Sequence, residues 1–366
     1  MTRYIAVVNT GASTLKLALM EVGLDGVWQR QRFEYDWHPS EHAGDLLRTA
    51  LESLEATPDA IGHRVVHGGA ELVEPTTLTP QLETELEALV PLAPLHNGPA
   101  VAAIREVRKI YPRLPAVAVF DTTFHAYRPP ASMRYALRQD TVDAFAIRRY
   151  GFHGIAHASL VDGLADAEGI PIDEVSAVTL QLGAGCSACA VQHGRSIETS
   201  MGFTPLEGLV MATRSGDVDP AIVLRLMRAG YDADRIEDEL TRRAGLLALC
   251  GLTDMREILA AESRGQANAR LALDLFCHRI VLMVGGYLTL LGGEGALVFG
   301  GGIGTNAPRI RERVAQGLSA WGVMLDPVLN QRNQPGRLST NSSRPVFALR
   351  TEEEHVIARE VDRHLG

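Results

Sequence analysis

Two short hairpin patterns constrain the fold of this chain more than any other feature of its sequence. The first is Asn9-x-Gly11 between two apolar runs, and the second is Gln181-x-Gly183 between two more. Each pattern is typical of a strand, a tight glycine-bearing turn and a second strand. Because the two align at a separation of 172 residues, they predict a duplicated fold in which each half opens with a hairpin.

Further apolar runs alternate with helical patterns along the chain. Strands are predicted at residues 61–66, 116–120, 297–299 and 345–349. Helices are predicted at residues 42–57, 80–90, 99–110, 219–229, 234–246, 253–262, 267–291, 308–320 and 352–365. This alternation indicates an α/β protein, and 366 residues predict two domains.

Charge and composition exclude several classes of protein. With 35 basic and 44 acidic residues the formal net charge is −9, which argues against a nucleic-acid binder. The N-terminus lacks the basic and long apolar regions of a signal peptide, and there is no unbroken apolar run long enough to span a membrane. The small number of cysteines, four, is typical of a reducing compartment, so we expect a cytoplasmic protein. From the charge and the apolar runs we expect no binding to nucleic acid or to a membrane.

The first hairpin turn is a candidate phosphate cradle. It contains small residues and hydroxyls, among them Thr14, and is followed by Lys16. Of the 35 basic residues 33 are arginine, so Lys16 is one of only two lysines in the chain. Small residues let backbone N–H groups approach an anion, and a lysine adds a compact charge. A plain hairpin turn remains the alternative.

A second glycine-rich segment, residues 300–306, follows a strand and precedes a helix. Gly302, Gly304 and Ala307 fit a dinucleotide fingerprint, but the segment lies late in the chain, and we expect a loop at residues 300–304. Such a turn can equally hold an adenosine or its α-phosphate.

Several charged residues occupy positions suited to substrate. Arg64 and Arg214 lie in glycine-bearing loops where a guanidinium can clamp an anion, although most arginines in proteins are simply exposed. Asp121 ends an apolar strand, where α/β proteins bind ligands. Glu353 and Glu354 open the last helix, a position that the helix dipole alone would favour.

One pair of histidines has the spacing of a metal site, and one pair of cysteines has the spacing of a redox site. His153 and His157 have zinc-helix spacing, but no Glu lies between them and Gly154 disfavours a helix. His153 is a better candidate as a donor to developing charge. Cys186 and Cys189 lie within one predicted strand, so they are interpreted as core thiols.

Taken in order, eight segments resemble the acetate kinase family: VVNTGASTLKLAL, GHRVVHGG, LAPLHNG, VFDTTFH, RRYGFHGIAH, SMGFTPLEGLVMATRSGDVDP, FGGGIGTN and TEEEHVIAR. They extend from Val7 to Arg359. The resemblance implies a duplicated ribonuclease-H-like, actin-like ATPase fold with two domains around a central cleft. We expect one domain at 1–127 plus 354–366 and the other, which binds nucleotide, at 128–353.

The resemblance also implies reversible, Mg²⁺- or Mn²⁺-dependent transfer of a phosphoryl group from ATP to acetate, giving acetyl phosphate and ADP, by a homodimer. It assigns catalytic roles to Arg64, Asp121, His153 and Arg214. It assigns metal binding to Asn9 and Glu353. Substrate binding would involve Arg64 with the apolar residues Val66, Leu95, Phe152 and Pro205. Nucleotide binding would involve Thr14, Lys16, Gly183, Gly185, Gly302, Ile303 and Gly304.

The sequence departs from the family pattern around the predicted nucleotide site. The second hairpin, usually H-L-G-N-G in the family, reads Gln181-Leu-Gly-Ala-Gly185, so Ala184 replaces an Asn that contacts phosphate. In addition, Ala12 replaces a Ser and Thr305 a Glu. Alternatives are therefore a propionate or other short-chain acyl kinase, a weakly active nucleotide-binding paralogue, or a kinase that uses pyrophosphate.

Overall fold

A computed structural model describes residues 2–11, 14–37 and 43–366 of the chain. Its strands form two six-stranded sheets. The strands are β1 (Arg3–Thr10), β2 (Thr14–Gly23), β3 (Gly26–Asp36), β4 (Ala60–Val65), β5 (Thr76–Thr77), β6 (Ala116–Phe120), β7 (Ala177–Leu182), β8 (Cys186–Gln192), β9 (Arg195–Thr199), β10 (Ala296–Gly300), β11 (Gly336–Arg337) and β12 (Val346–Ala348). The α-helices are α1 (Ala43–Glu52), α2 (Pro80–Ala88), α3 (Pro94–Ile110), α4 (Pro130–Met133), α5 (Gln139–Ala144), α6 (Gly154–Glu168), α7 (Pro220–Arg228), α8 (Ala233–Thr241), α9 (Gly245–Cys250), α10 (Met255–Ser263), α11 (Ala267–Leu290), α12 (Gly301–Asn306), α13 (Pro308–Gly317), α14 (Pro327–Arg332) and α15 (Glu353–Leu365).

The first structural unit comprises Met1–Ala126, Phe152–Ser159 and Glu352–Gly366. Its sheet has the order β3-β2-β1-β4-β6-β5. Strands β1, β4 and β6 are parallel, whereas β2 and β3 continue the sheet as an antiparallel meander. The carboxyl ends of three adjacent parallel strands therefore meet at one edge of this sheet.

The core of this unit follows from the alternation of side chains along β1. Ile5 and Val7 pack on one face with helix α15, while Ala6 and Val8 pack on the other with α1 and α3. A period of two places successive residues on opposite faces of a strand. With both faces covered, β1 is buried on each side and reads as the continuous apolar run seen in the sequence.

The second unit comprises Tyr127–Gly151 and Leu160–Thr351. Its sheet has the order β11-β12-β10-β7-β8-β9, with β7, β10 and β12 parallel and β8 and β9 antiparallel. The series β9-β8-β7-β10-β12 thus repeats the order and directions of β3-β2-β1-β4-β6 in the first unit. This repeat confirms the duplication predicted from the two hairpins.

The predicted domain boundaries at residues 127 and 354 stay a prediction, with one local difference. Residues 152–159, which we expected in the second domain, pack with the first unit. There the Gly154 N–H donates to the Asp121 carbonyl at 2.8 Å, and Ile155 joins the core formed by β1 and α15.

Three local predictions were wrong. Helix α6 begins at Gly154, where we expected glycine to oppose a helix; a Cβ here would lie 2.2 Å from the Asp121 carbonyl oxygen, so close packing requires glycine. Residues 301–306 form the short helix α12 where we expected a loop. The single helix predicted at 234–246 is two helices: α8 ends at Thr241, and α9 begins at Gly245, whose φ is +62°.

Helix α11 is long and apolar enough, by length and composition, to cross a membrane, although the sequence has no unbroken apolar run of that length. Within its most apolar stretch 44% is buried, and the helix packs against α9, α10, α13 and β8.

Candidate functional site

Three predicted residues of the first unit meet at the carboxyl ends of its parallel strands. Asn9 lies near the end of β1, Arg64 lies near the end of β4, and Asp121 directly follows β6. Arg64 donates to both carboxylate oxygens of Asp121, from Nε to Oδ1 at 3.1 Å and from Nη2 to Oδ2 at 2.6 Å. Its Nη1 donates to the Asn9 Oδ1 at 3.2 Å. The guanidinium is thus held in one orientation by a charge-assisted, two-bond contact and an amide.

The first turn of α15 extends this network. The Asn9 Nδ2 donates to the Glu353 Oε2 at 2.9 Å and to the Glu354 Oε1 at 3.0 Å. The hydrogen bonds therefore run from Asp121 through Arg64 and Asn9 to two glutamates. The family resemblance implies a role only for Glu353, but Glu354 belongs to the same network.

The charges of this network perturb one another. Burial opposes the charged form of Arg64, but the attraction of Asp121, Glu353 and Glu354 outweighs it and raises the pKa of the guanidinium above its ordinary value. Burial raises the pKa of Asp121 against the opposing attraction of Arg64. Burial also opposes the charged form of Glu353, yet Arg64, Lys16, Asn9 and His153 together lower its pKa. Glu353 is therefore ionised at neutral pH.

The first hairpin places Lys16 near these groups. Lys16 in β2 pairs with Asn9 in β1 across the antiparallel ladder, and its charge contributes to the lowered pKa of Glu353. The backbone of Thr14 closes the turn, because its carbonyl accepts the Gly11 N–H at 2.7 Å. Ala12, where the family pattern has Ser, lies outside the described residues.

His153 lies just before helix α6 in the left-handed backbone region, at a φ of +58°. Its carbonyl accepts the His157 N–H at 2.9 Å. Burial lowers the pKa of His157 to about 3, so its imidazole is neutral. Among the described residues no group of three or more His, Cys, Asp or Glu could hold a metal ion by itself, and a zinc site at this histidine pair has no support.

Two of the apolar residues assigned to substrate are buried in this unit, Val66 after β4 and Phe152 before α6. Leu95 lies in the first turn of α3, but its side chain is outside the described part of the structure.

In the second unit, residues 183–185 form the turn between β7 and β8. The Gly183 N–H donates to the Gly185 carbonyl at 3.0 Å, and the Cys186 Sγ donates to the Gly183 carbonyl at 3.3 Å. Ala184 is exposed at the tip, and its carbonyl accepts the Ala212 N–H at 3.1 Å. The turn is therefore tied to the loop that carries Arg214.

Gln181 connects this hairpin to the glycine-rich segment. Its Oε1 accepts the hydroxyl of Thr351 at 2.8 Å, and that hydroxyl accepts the Gly301 N–H at 3.1 Å. Two hydrogen bonds through the Thr351 hydroxyl thus connect Gln181 to the start of helix α12, which contains Gly302, Ile303 and Gly304. No local sequence pattern indicates this connection, because Gln181, Gly301 and Thr351 are far apart along the chain.

A buried arginine, which the sequence analysis missed, holds the other end of α12. The Arg311 Nη1 donates to the carbonyls of Gly304 and Thr305 at 2.9 and 2.8 Å. Its Nε and Nη2 donate to Asn330. Burial lowers the pKa of Arg311 to about 10.

Arg214 differs from Arg64 in its surroundings. Its Nη1 donates to the Pro205 carbonyl at 3.1 Å, and no carboxylate of the described residues lies within 4 Å of its guanidinium. Burial lowers its pKa, against a smaller opposing effect of Cys186. A half-buried guanidinium without a carboxylate partner is suited to an anionic ligand.

Comparison with known proteins gives consistent matches along the chain. Residues 40–359 match the model of the Acetokinase family. An acetate kinase of Leifsonia xyli subsp. xyli is 47% identical over 311 residues, which cover 84% of this chain and 78% of that protein. The crystal structure of a propionate kinase from Francisella tularensis subsp. tularensis has a TM-score of 0.88 and 33% identity, with 98% of each chain covered. The crystal structure of Porphyromonas gingivalis acetate kinase has a TM-score of 0.87 and 31% identity, with 100% of each chain covered.

Proposed function

The chain belongs to the acetokinase family, and on that premise we propose that it is an acetate kinase, a phosphotransferase that acts reversibly on a carboxyl acceptor to form acetyl phosphate and ADP from acetate and ATP. Its two matching units belong to the same actin-like ATPase fold as these relatives. The observation that carries the proposal is the network of Asn9, Arg64, Asp121 and Glu353 at the carboxyl ends of adjacent parallel strands.

In this proposal Arg64 binds the acyl carboxylate. Asp121 and Asn9 fix its guanidinium, which leaves the group oriented before the substrate arrives. A carboxylate substrate is already ionised at neutral pH, so the reaction needs no strong general base. His153 donates to the charge that develops on the transferred phosphoryl group, and Arg214 neutralises part of that charge. Phosphoryl transfer depends mainly on such positioning and electrostatic stabilisation.

Mg²⁺, or Mn²⁺ in its place, would be held by Glu353 and Asn9. The Glu353 carboxylate fits this role, because it is ionised and Mg²⁺ prefers hard oxygen ligands. The Asn9 amide would have to turn over to offer its oxygen beside Glu353, since its Oδ1 accepts from Arg64 and its Nδ2 faces Glu353. Mg²⁺ typically takes only one or two carboxylates and completes its shell with phosphates and water. The bound ion would supply charge neutralisation at the phosphates of ATP.

ATP is assigned to the second unit together with the first hairpin. The backbone of Gly183 and Gly185 would approach the phosphates, as would Lys16 and Thr14. Gly302, Ile303 and Gly304 in α12 would border the adenosine. The hydrogen bonds of Thr351, which Gln181 anchors, and of Arg311 support this assignment, because they hold α12 at both ends.

Val66, Leu95, Phe152 and Pro205 would surround the acyl methyl group. Propionate is the second candidate substrate, since one structural relative is a propionate kinase. Acetate is favoured because the relatives with 40–47% identity are acetate kinases.

We further propose a cytoplasmic homodimer. Helix α7 exposes Ile222, Leu224 and Met227, each at least half accessible, and α11 exposes Leu271, Leu282 and Leu290. Apolar surface of this kind is typical of protein interfaces.

The proposal is tested by trapping acyl phosphate with hydroxylamine in the presence of Mg-ATP and acetate, propionate or butyrate. We expect hydroxamate with acetate above all. Arg64→Ala and Arg214→Ala should each lose about 10³-fold or more in turnover, the scale on which one arginine acts in phosphoryl transfer.

Two outcomes would count against the proposal. ATP binding without hydroxamate from any acid would indicate a nucleotide-binding paralogue. Near-normal turnover in either arginine variant would remove that residue from the site.

A further inference from the structure

Two fully buried polar side chains, those of His67 and Asn97, contact the chain segments that carry the residues proposed to line the acyl pocket. We propose that His67 and Asn97 are positioning residues that fix the width of this pocket and thereby limit the length of the acid that the enzyme accepts. The inference rests on the proposed function, because it concerns the substrate range of the same site.

Asn97 pairs with the backbone of a single residue. Its Oδ1 accepts the His67 N–H at 3.0 Å, and its Nδ2 donates to the His67 carbonyl at 3.0 Å. The β4–β6 ladder ends at Val65, so beyond it the Asn97 side chain, and not a neighbouring strand, pairs with the backbone N–H and carbonyl of His67. A buried backbone N–H or carbonyl without a partner is costly, which makes this two-bond contact a strong constraint on the chain path.

The contact joins the chain segments that carry two of the residues proposed to line the pocket. Val66 directly precedes His67, and Leu95 lies two residues before Asn97 in the first turn of α3. Displacement of the Asn97 amide would therefore move the end of β4 relative to the start of α3, and with it the spacing of these two residues.

The ring of His67 contacts Phe152, the third residue proposed to line the pocket. Its Nδ1 accepts the Gly69 N–H at 2.8 Å, which fixes the ring from one side. Its centroid lies 5.3 Å from that of the Phe152 ring, at an interplanar angle of 67°. Edge contacts of this geometry are favourable between aromatic rings. Burial lowers the pKa of His67 to about 4, so the ring packs as a neutral group.

His67 and Asn97 together thus hold the backbone after Val66, the first turn of α3 and the ring of Phe152 in one arrangement. A pocket for a short acyl chain discriminates between acids of different length by steric limits. One additional methylene in the acid changes kcat/KM by about 10- to 200-fold. Because His67 lies behind Phe152, its removal should act near the lower end of that range.

The test compares His67→Ala and Asn97→Asp with the wild type, using kcat/KM for acetate, propionate and butyrate and KM for ATP. His67→Ala removes the ring behind Phe152, and Asn97→Asp keeps the size and one acceptor but loses the bond to the His67 carbonyl. We expect the propionate-to-acetate ratio of kcat/KM to rise about 10-fold in His67→Ala and several-fold in Asn97→Asp, with butyrate changing in the same direction. KM for ATP should stay within about twofold.

Asn330→Asp is the matched control. Asn330 is also a buried asparagine bonded to a backbone carbonyl, that of Pro308 at 3.1 Å, but it lies in the second unit. Because Asn330 also accepts from Arg311 beside α12, the control readout is the ratio of kcat/KM among the acids and not KM for ATP. This ratio should equal that of the wild type.

Equal losses for all three acids in His67→Ala and Asn97→Asp, with unchanged ratios, would overturn the inference and leave only a structural role. Should His67→Ala fail to fold, the nearly isosteric Asn97→Asp decides alone. Absence of acyl phosphate from any acid in the wild type would refute the proposed function instead.

Discussion

The Arg64–Asp121 pair has an exposed counterpart of the same geometry, which makes the effect of burial measurable. The Arg138 Nε and Nη2 donate to the two oxygens of Asp140 at 3.1 and 2.5 Å, against 3.1 and 2.6 Å for Arg64 and Asp121. The side chains of Arg64 and Asp121 are 12% and 1% exposed, whereas those of Arg138 and Asp140 are 83% and 62% exposed. Substitution of Asn for each Asp therefore compares one contact in two environments.

In Asp121→Asn one carboxylate oxygen becomes an NH₂ that faces an N–H of Arg64. Removal of one partner from a buried ion pair costs about 3–5 kcal/mol. Glu353 and Glu354 still attract the guanidinium, so we expect a loss near the lower end, about 3 kcal/mol in the free energy of unfolding. Arg64 also loses its main anchor, and misplacement of a positioning group by about 1 Å can cost about 10²-fold in rate.

Urea unfolding and initial rates of hydroxamate formation measure both effects. Asp121→Asn should unfold at lower urea and lose about 10²-fold in rate. Asp140→Asn should leave both unchanged, because water screens an exposed pair. Equal stability losses in the two variants, or full activity in Asp121→Asn, would refute the reasoning that burial and orientation give the Arg64 contact its value.

Three further predictions concern other parts of the chain. Ala184→Asn should lower KM for ATP about 5-fold, since it adds an amide donor at the exposed turn; an unchanged KM, measured by ATP titration, would mean that this position no longer contacts phosphate. Cys186→Ser should keep the rate within a few-fold, because burial raises the thiol pKa to about 12 and a hydroxyl can replace its bond to the Gly183 carbonyl; complete loss would revive a reactive thiol. The free energy of unfolding should fall as the pH drops below about 6.5, with a slope of up to about 4 kcal/mol per pH unit near pH 5. Three buried histidines regain their ordinary pKa on unfolding, so below this pH the unfolded state binds more protons than the folded state. Their pKa values are lowered by burial, to about 3 in His63, where Arg108 adds to the effect, about 4 in His67 and about 3 in His157. Urea midpoints that do not change between pH 7 and pH 5 would contradict this reasoning.

The parts of the fold that follow from local pattern were predictable from the sequence. The hairpins at Asn9 and Gln181 indicated the duplication, because strand pairing and tight turns depend on neighbouring residues. Strand β3 was missed because polar residues dominate its sequence, GVWQRQRFEYD. Helix α12 was missed because glycine disfavours helices, and the contacts that stabilise it come from Arg311 and Thr351, far along the chain.

The site was predictable as a set of residues but not as a geometry. Asp121 and Arg64 were candidates because each lies near a strand end, yet their two-bond contact depends on the register that pairs Arg64 with Val119 in β6. The bond from Asn9 to Glu354 depends on the docking of α15, which no local pattern specifies. Arg311 could not be identified among 33 arginines, since only tertiary structure shows which one is buried.

In the proposed reaction a carboxylate oxygen of acetate attacks the γ-phosphorus of ATP, and oxygen labelling tests this step directly. The enzyme is incubated with Mg-ATP and acetate carrying ¹⁸O in both carboxyl oxygens, and the acyl phosphate is cleaved at its acyl carbon with hydroxylamine. We expect the released phosphate to contain one ¹⁸O, because the attacking oxygen becomes the bridge to phosphorus. Unlabelled phosphate, formed at the same rate with or without acetate, would show that water is the acceptor and would contradict the account.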